Sequence, residues 1–127
     1  MAAATTVIDR VMSPEAAYSF VGEVSNQTNY TLTLTKSETN GTWETKPPAV
    51  LAAGGSPKFS THYDGFNHTG KVVYSVVGGE GSLTMEWSIP LFGNNTISDS
   101  TSISGTAASH EGGRGWHAFV WYYLKEA

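Results

Sequence analysis

The sequence predicts an all-β fold: a single antiparallel β-sandwich of about seven to nine strands with little helix. Three observations carry this. Aromatic and β-branched residues come in short runs separated by clusters of Gly, Pro, Asn and Ser. Several of these runs alternate apolar and polar residues, the period of a strand with one buried face. Beyond the N-terminus, no stretch has the 3.6-residue period of an amphipathic helix. The 127 residues contain no linker, repeat or composition break, so the chain reads as one domain, 1–127, with residues 1–17 as a short N-terminal segment.

In chain order, "ATTVIDRVMSPEAA" allows a turn or two of helix that Pro14 limits. "YSFVGEVS" (18–25) alternates and reads as a strand. "NYTLTLTKSE" (29–38) alternates more strictly, with Tyr30, Leu32 and Leu34 on one face and Thr31, Thr33 and Thr35 on the other. "SNQTN" between them predicts a tight hairpin connection. Asn40-Gly41 is a turn before a short strand around Trp43. Pro47 and Pro48 confine the next segment to an edge or a loop. Strands follow at 56–63, 71–77 and 82–89, separated by the loop "DGFNHTG" and the turn "GGEG". "SDSTSISGT" is a weaker strand, and "GWHAFVWYYL" (115–124) is the last and most hydrophobic one.

Composition narrows the function. Seven basic and eleven acidic residues give a formal net charge of −4, which lacks the basic face of a nucleic-acid binder. There are no cysteines, so disulfides and thiolate chemistry are excluded. No apolar run has the length of a signal peptide or a membrane span. The expected product is soluble, either cytoplasmic or released without a signal peptide. Five N-x-[ST] sequons, at Asn26, Asn29, Asn40, Asn67 and Asn94, read as a by-product of an Asn- and Thr-rich chain.

Most motifs favour bland readings. "GFNHTGKV" (65–72) approaches a phosphate loop, but Val72 stands where a hydroxyl is needed and a strand follows where a helix is needed. His62, His68, His110 and His117 have no metal-ligand spacing, although His62 and His68 could meet across a loop. No nucleophile elbow or paired carboxylate stands out, so no enzymatic activity, metal or cofactor is expected. Arg114, in the glycine-rich "HEGGRGWH", has the fork that grips phosphate or carboxylate, or else is a solvated loop charge. In the last strand Trp116, Ala118, Val120 and Tyr122 share one face, and His117, Phe119, Trp121 and Tyr123 the other. Either both faces are buried or one is a ligand platform.

"GSLTMEWSIPLFGNN" (81–95) is the most informative stretch. Leu83, Met85 and Trp87 share a strand face and belong in the core. Pro90 ends the ladder, and Leu91 and Phe92 fall in a turn closed by Gly93-Asn94-Asn95. They either cap the sandwich or form an apolar tip that enters a lipid surface.

Residues 69–95 resemble the central hairpin of actinoporins, in the order "KVVYSVV", "LTMEWSIP", "LFGNN". Trp87, Pro90, Gly93 and Asn94 or Asn95 also look like the aegerolysin strand that ends at Trp-x-x-Pro. Both families are β-sandwich, cytolysin-type proteins that recognise membrane lipids, and fungal fruit-body lectins share the actinoporin fold. The resemblance implies a lipid head-group site. Ser88 and Pro90 match pocket positions, Tyr74 matches the motif's strand, and Leu91 and Phe92 stand at interfacial loop positions. Asn94 belongs to the same turn, and Trp116 or Trp121 would assist.

The chain departs from actinoporins in lacking the loop aspartate and any aromatic between Asn95 and Trp116. These departures count against phosphocholine specificity. Residues 1–17, short and broken at Pro14, also do not match the pore-forming N-terminal helix of actinoporins, and that favours the aegerolysin arrangement, a lipid-binding component that acts at a target membrane with a partner toxin chain. A glycan ligand is the alternative, and a homo-oligomer packed through the last strand a third reading.

Overall fold

The computed structural model describes residues 17–127. The expected N-terminal helical turn falls on residues outside these. Ten strands form two five-stranded sheets and, among the described residues, no helix. They are β1 (Tyr18–Gln27), β2 (Leu32–Thr39), β3 (Thr42–Thr45), β4 (Val50–Leu51) and β5 (Lys58–Tyr63). They continue with β6 (His68–Val76), β7 (Ser82–Ile89), β8 (Thr96–Thr101), β9 (Thr106–Gly112) and β10 (His117–Glu126). Sheet A has the order β3-β5-β1-β10-β9 and sheet B the order β4-β2-β6-β7-β8.

The sandwich is as predicted, and four local expectations change. "SNQTN" does not close a hairpin, because β1 pairs with β5 and β10 while β2 lies in the other sheet. The β1–β10 pair is parallel, from Ser19 opposite His117 to Gln27 opposite Lys125, in an otherwise antiparallel structure. "SDSTSISGT" is not one strand: a turn at 102–105 carries the chain from β8 in sheet B to β9 in sheet A. The first three residues of the segment read as a glycine loop, His110 to Gly112, belong to β9. The short strand at Trp43 and the edge strand after the two prolines stand where expected.

Alternation decides which side chains meet. β7 buries Leu83, Met85, Trp87 and Ile89, and β10 buries Ala118, Val120, Tyr122 and Leu124. The opposite face of β10, with Phe119, Trp121 and Tyr123, is turned outward, so the last strand is buried on one side only. The alternation of β2 fades: Leu32 is fully buried, Leu34 partly, and Tyr30 precedes the strand and is exposed. An aromatic cluster fills the centre. The rings of Phe20 and Trp87 stack at 4.1 Å with 4° between planes, and Trp43 meets Trp87 edge-on at 6.1 Å. Gly70, directly across from Trp87, has no side chain and leaves the indole its place.

Asn26 is the polar staple at the far end of the sandwich. It is fully buried, its side-chain amide donates to the carbonyls of Tyr30 and Ala52, and its Oδ1 accepts from the backbone and hydroxyl of Thr28. Buried polar groups left unpaired cost about 1–3 kcal/mol each. Asn26→Ala is therefore expected to lower stability by about 3 kcal/mol in urea unfolding; a loss below about 1 kcal/mol would show that water replaces the amide freely. The same burial keeps this sequon from carrying a glycan in the folded chain.

Candidate functional site

Strand register places four connections at one end of the sandwich. Thr39 lies across from Gly70 and Thr42 from His62, so the Asn40-Gly41 turn is there. Tyr18 lies across from Tyr63, His68 from Ile89, and Ser88 from Thr96, which adds the loops 64–67 and 90–95. Loop 113–116, between β9 and β10, completes the set. We call this the apical end.

Three large side chains project from it. Phe92 is 85% exposed, Phe66 74% and Trp116 52%. Such exposure is costly in water for any one ring, and three on one end form a patch. The loops beneath are tied together. Asn67 Oδ1 accepts the Leu91 amide at 3.2 Å, and the Asn67 carbonyl accepts the Asn40 side-chain amide at 2.6 Å. The Asn95 side-chain amide donates to the carbonyls of Gly113 and Gly115 at 2.8 and 2.7 Å. The Phe66 carbonyl accepts the Tyr18 hydroxyl at 2.6 Å, and the Tyr18 ring meets Trp116 edge-on at 6.1 Å. The aromatic tips therefore stand on a bonded base.

That base reaches the core through His68, which is fully buried. Asn40 Oδ1 already accepts the Thr69 amide, so the pattern assigns His68 Nδ1–H as a donor to it at 3.0 Å. His68 Nε2 then accepts the Thr61 hydroxyl at 2.6 Å. Burial first, and the neighbouring His62 second, lower the His68 pKa from 6.5 to about 4. A folded-state value below the unfolded one means that neutral His68 favours the fold. Its contribution is complete above pH 6.5 and is lost as pH falls from 6.5 towards 4, about 3 kcal/mol in all. Urea midpoints of wild type and His68→Asn should therefore converge across that window; parallel curves would contradict the assignment.

The sequence-predicted residues separate into four places. Pro90, Leu91, Phe92, Asn94 and Trp116 come together at the apical end. Within the Leu-Phe pair only Phe92 projects freely, whereas Leu91 is half-buried. Ser88 opens instead into a 510 Å³ cleft on the outer face of sheet B, with Glu38, Asn40, Lys71, Glu86 and Ser98.

Tyr74 and Trp121 are not brought to the apical end. Tyr74 is fully buried toward the other end, its hydroxyl on the Pro48 carbonyl at 2.7 Å, and burial raises its pKa well above 10. A ring sealed in the core cannot touch a ligand. Trp121 lies midway along the outer face of sheet A, 4.4 Å from the Phe119 ring and 41% exposed.

One contributor, Phe66, was not singled out from sequence, and Asn95 entered only beside Asn94 in the turn. Phe66 carries the same signal as Phe92, a large apolar residue inside a Gly-Asn turn. His62 and His68 do come close: His68 is held by Thr61 and Asn40, and His62 Nδ1 lies 3.2 Å from Glu44 Oε2. Loop 113–116 and the Asn95 loop enclose a second cleft of 650 Å³, lined by Asn95, His110, Arg114 and Trp116 among others.

No family model matches the chain, and no curated protein matches it either. Solved structures do. The crystal structure of the lipid binding protein Nakanori superposes with a TM-score of 0.77 over 88% of this chain and 73% of its own, at 14% identity. A crystal structure of RahU in complex with a Tris molecule gives 0.69 over 88% of this chain and 97% of its own, also at 14% identity. The chain thus shares the β-sandwich fold of these two proteins, one of them described as lipid binding.

Proposed function

We propose that this protein attaches to lipid surfaces through its apical end and recognises a lipid head group there, with no catalytic step of its own. The observation that carries the reading is the convergence of Phe66, Phe92 and Trp116 on one end, on loops held by hydrogen bonds. Aromatic rings favour the membrane interface because they join an apolar body to a polarisable face. Nakanori's description as a lipid binding protein supports it at the level of the fold. The expectation of a lipid-binding component that works with a partner chain at a target membrane belongs to the same proposal.

The test is vesicle sedimentation combined with tryptophan quenching by brominated acyl chains. We expect co-sedimentation and quenching that Trp116→Phe removes and Trp121→Phe does not. Absence of binding to every vesicle would sink the reading. Quenching that follows Trp121 instead would move the contact to sheet A. Red-cell lysis read in parallel separates a pore former from a lipid-binding component; the proposal expects none from this chain alone.

A glycan reading rests on a different observation, the cleft at Ser88. Its hydroxyls and the Lys71–Glu86 pair, 3.3 Å apart, suit polyol hydroxyls. Saturable binding on a glycan array that Ser88→Ala abolishes would favour it.

A further inference from the structure

The cleft between the Asn95 loop and loop 113–116 has a chemistry of its own. Its lining includes one guanidinium, Arg114, one imidazole, His110, and no carboxylate. Outside the lining, Asp99 Oδ2 bonds His110 Nδ1. Asp64, on the neighbouring loop, accepts the Ala17 amide. In a protein of net charge −4 the lining itself thus carries one fixed cation, Arg114, with the Asp99 carboxylate behind His110. The cleft at Ser88 shows the contrast, since Glu38 and Glu86 line it beside the single Lys71.

Asn95 fixes the backbone of one wall. Gly113 and Gly115 have φ of +97° and +80°, and their carbonyls are both taken by the Asn95 side chain. A Cβ at Gly113 would stand 2.6 Å from Ile97 Cγ1, so only glycine lets the loop lie this close on β8. Arg114 itself forms no ion pair among the described residues and is exposed.

We propose that this cleft binds a phosphomonoester, a phosphoryl group that carries up to two negative charges and no cationic substituent. Resting on the membrane reading above, its source is an anionic lipid head group of the phosphatidic acid kind. The Arg fork matches two phosphoryl oxygens. A choline-bearing group is disfavoured. A quaternary ammonium needs several Trp, Tyr or Phe faces or a carboxylate, and the lining offers only the Trp116 indole of these, beside a guanidinium that repels it. The apical rings would supply attachment, and Arg114 selectivity.

The experiment compares vesicles of phosphatidylcholine containing phosphatidic acid with vesicles charge-matched by phosphatidylglycerol. The readout is the ratio of the two affinities for wild type, Arg114→Gln, Arg114→Lys and Phe92→Ser. Wild type should prefer the phosphomonoester by about tenfold or more. Arg114→Gln should bring the ratio to about one, and Arg114→Lys should fall between. Phe92→Ser should weaken both affinities alike and keep the ratio.

Equal binding of the two lipids by wild type, or an unchanged ratio in Arg114→Gln, overturns the inference while the membrane reading stands. If wild type binds no vesicle, the membrane reading falls, and calorimetric titration with glycerol 3-phosphate decides the cleft. Binding that Arg114→Gln removes would then assign it to soluble phosphomonoesters, and no binding would overturn it.

Discussion

Alanine at position 70 is expected to lower the unfolding free energy by about 3 kcal/mol, the upper range for overpacking a filled core. A methyl group there would stand 1.9 Å from Trp87 Cζ2 and 2.3 Å from Cε2. The indole has little room to yield, because it is stacked on Phe20 and met edge-on by Trp43. The cause is testable by a double-mutant cycle. In a Trp87→Leu background, itself destabilised, Gly70→Ala should cost less than about 1 kcal/mol, because the clashing ring is gone. Equal costs in both backgrounds would place the penalty in the backbone rather than in the ring. Urea unfolding of the four proteins decides.

The second large effect concerns attachment. Burying a large apolar side chain contributes about 1.5–3 kcal/mol, and Phe66 and Phe92 keep most of their area free for it. Each serine substitution at Phe66, Phe92 or Trp116 should weaken vesicle binding about tenfold, and the triple variant about a thousandfold. Phe66→Ser and Phe92→Ser should leave the thermal midpoint nearly unchanged, since neither ring belongs to the core. Trp121→Ser should bind within about twofold of wild type, because its ring lies on the flank of the sandwich. A triple variant that binds like wild type would show that the exposed rings do not touch lipid. The half-buried Leu91 is expected to matter less than Phe92.

The strands were legible where alternation was strict. β7 reads correctly from its four inward residues, and β10 divides into the two faces that the sequence gives it. Pairing was less legible. "SNQTN" has the composition of a hairpin, but the same residues serve a crossing between sheets, where Asn26 holds the turn from inside. Nothing local announces that β1 meets β10, since a parallel partner is chosen by the whole topology.

The site follows the same division. Phe92 is visible as a large apolar residue in turn chemistry, and Phe66 would have been by the same rule. The bond from Asn95 to two glycine carbonyls depends on two loops distant in sequence being neighbours. Tyr74 was drawn in by likeness to a motif, although its alternation with Val72 points it into the core.

The parallel pairing of β1 with β10 also governs when the protein can fold. Ser19 and His117 are 98 residues apart, so the middle of sheet A must wait for the final strand to be synthesised. Until β10 leaves the ribosome, β1 has only β5 beside it, and Phe20 and Val24 have only part of their covering. Folding of the sandwich should therefore begin only once β10 has been made, and be slow, on the millisecond-to-second scale of sandwiches dominated by non-local contacts. A nascent chain stalled before residue 117 should be open to protease throughout.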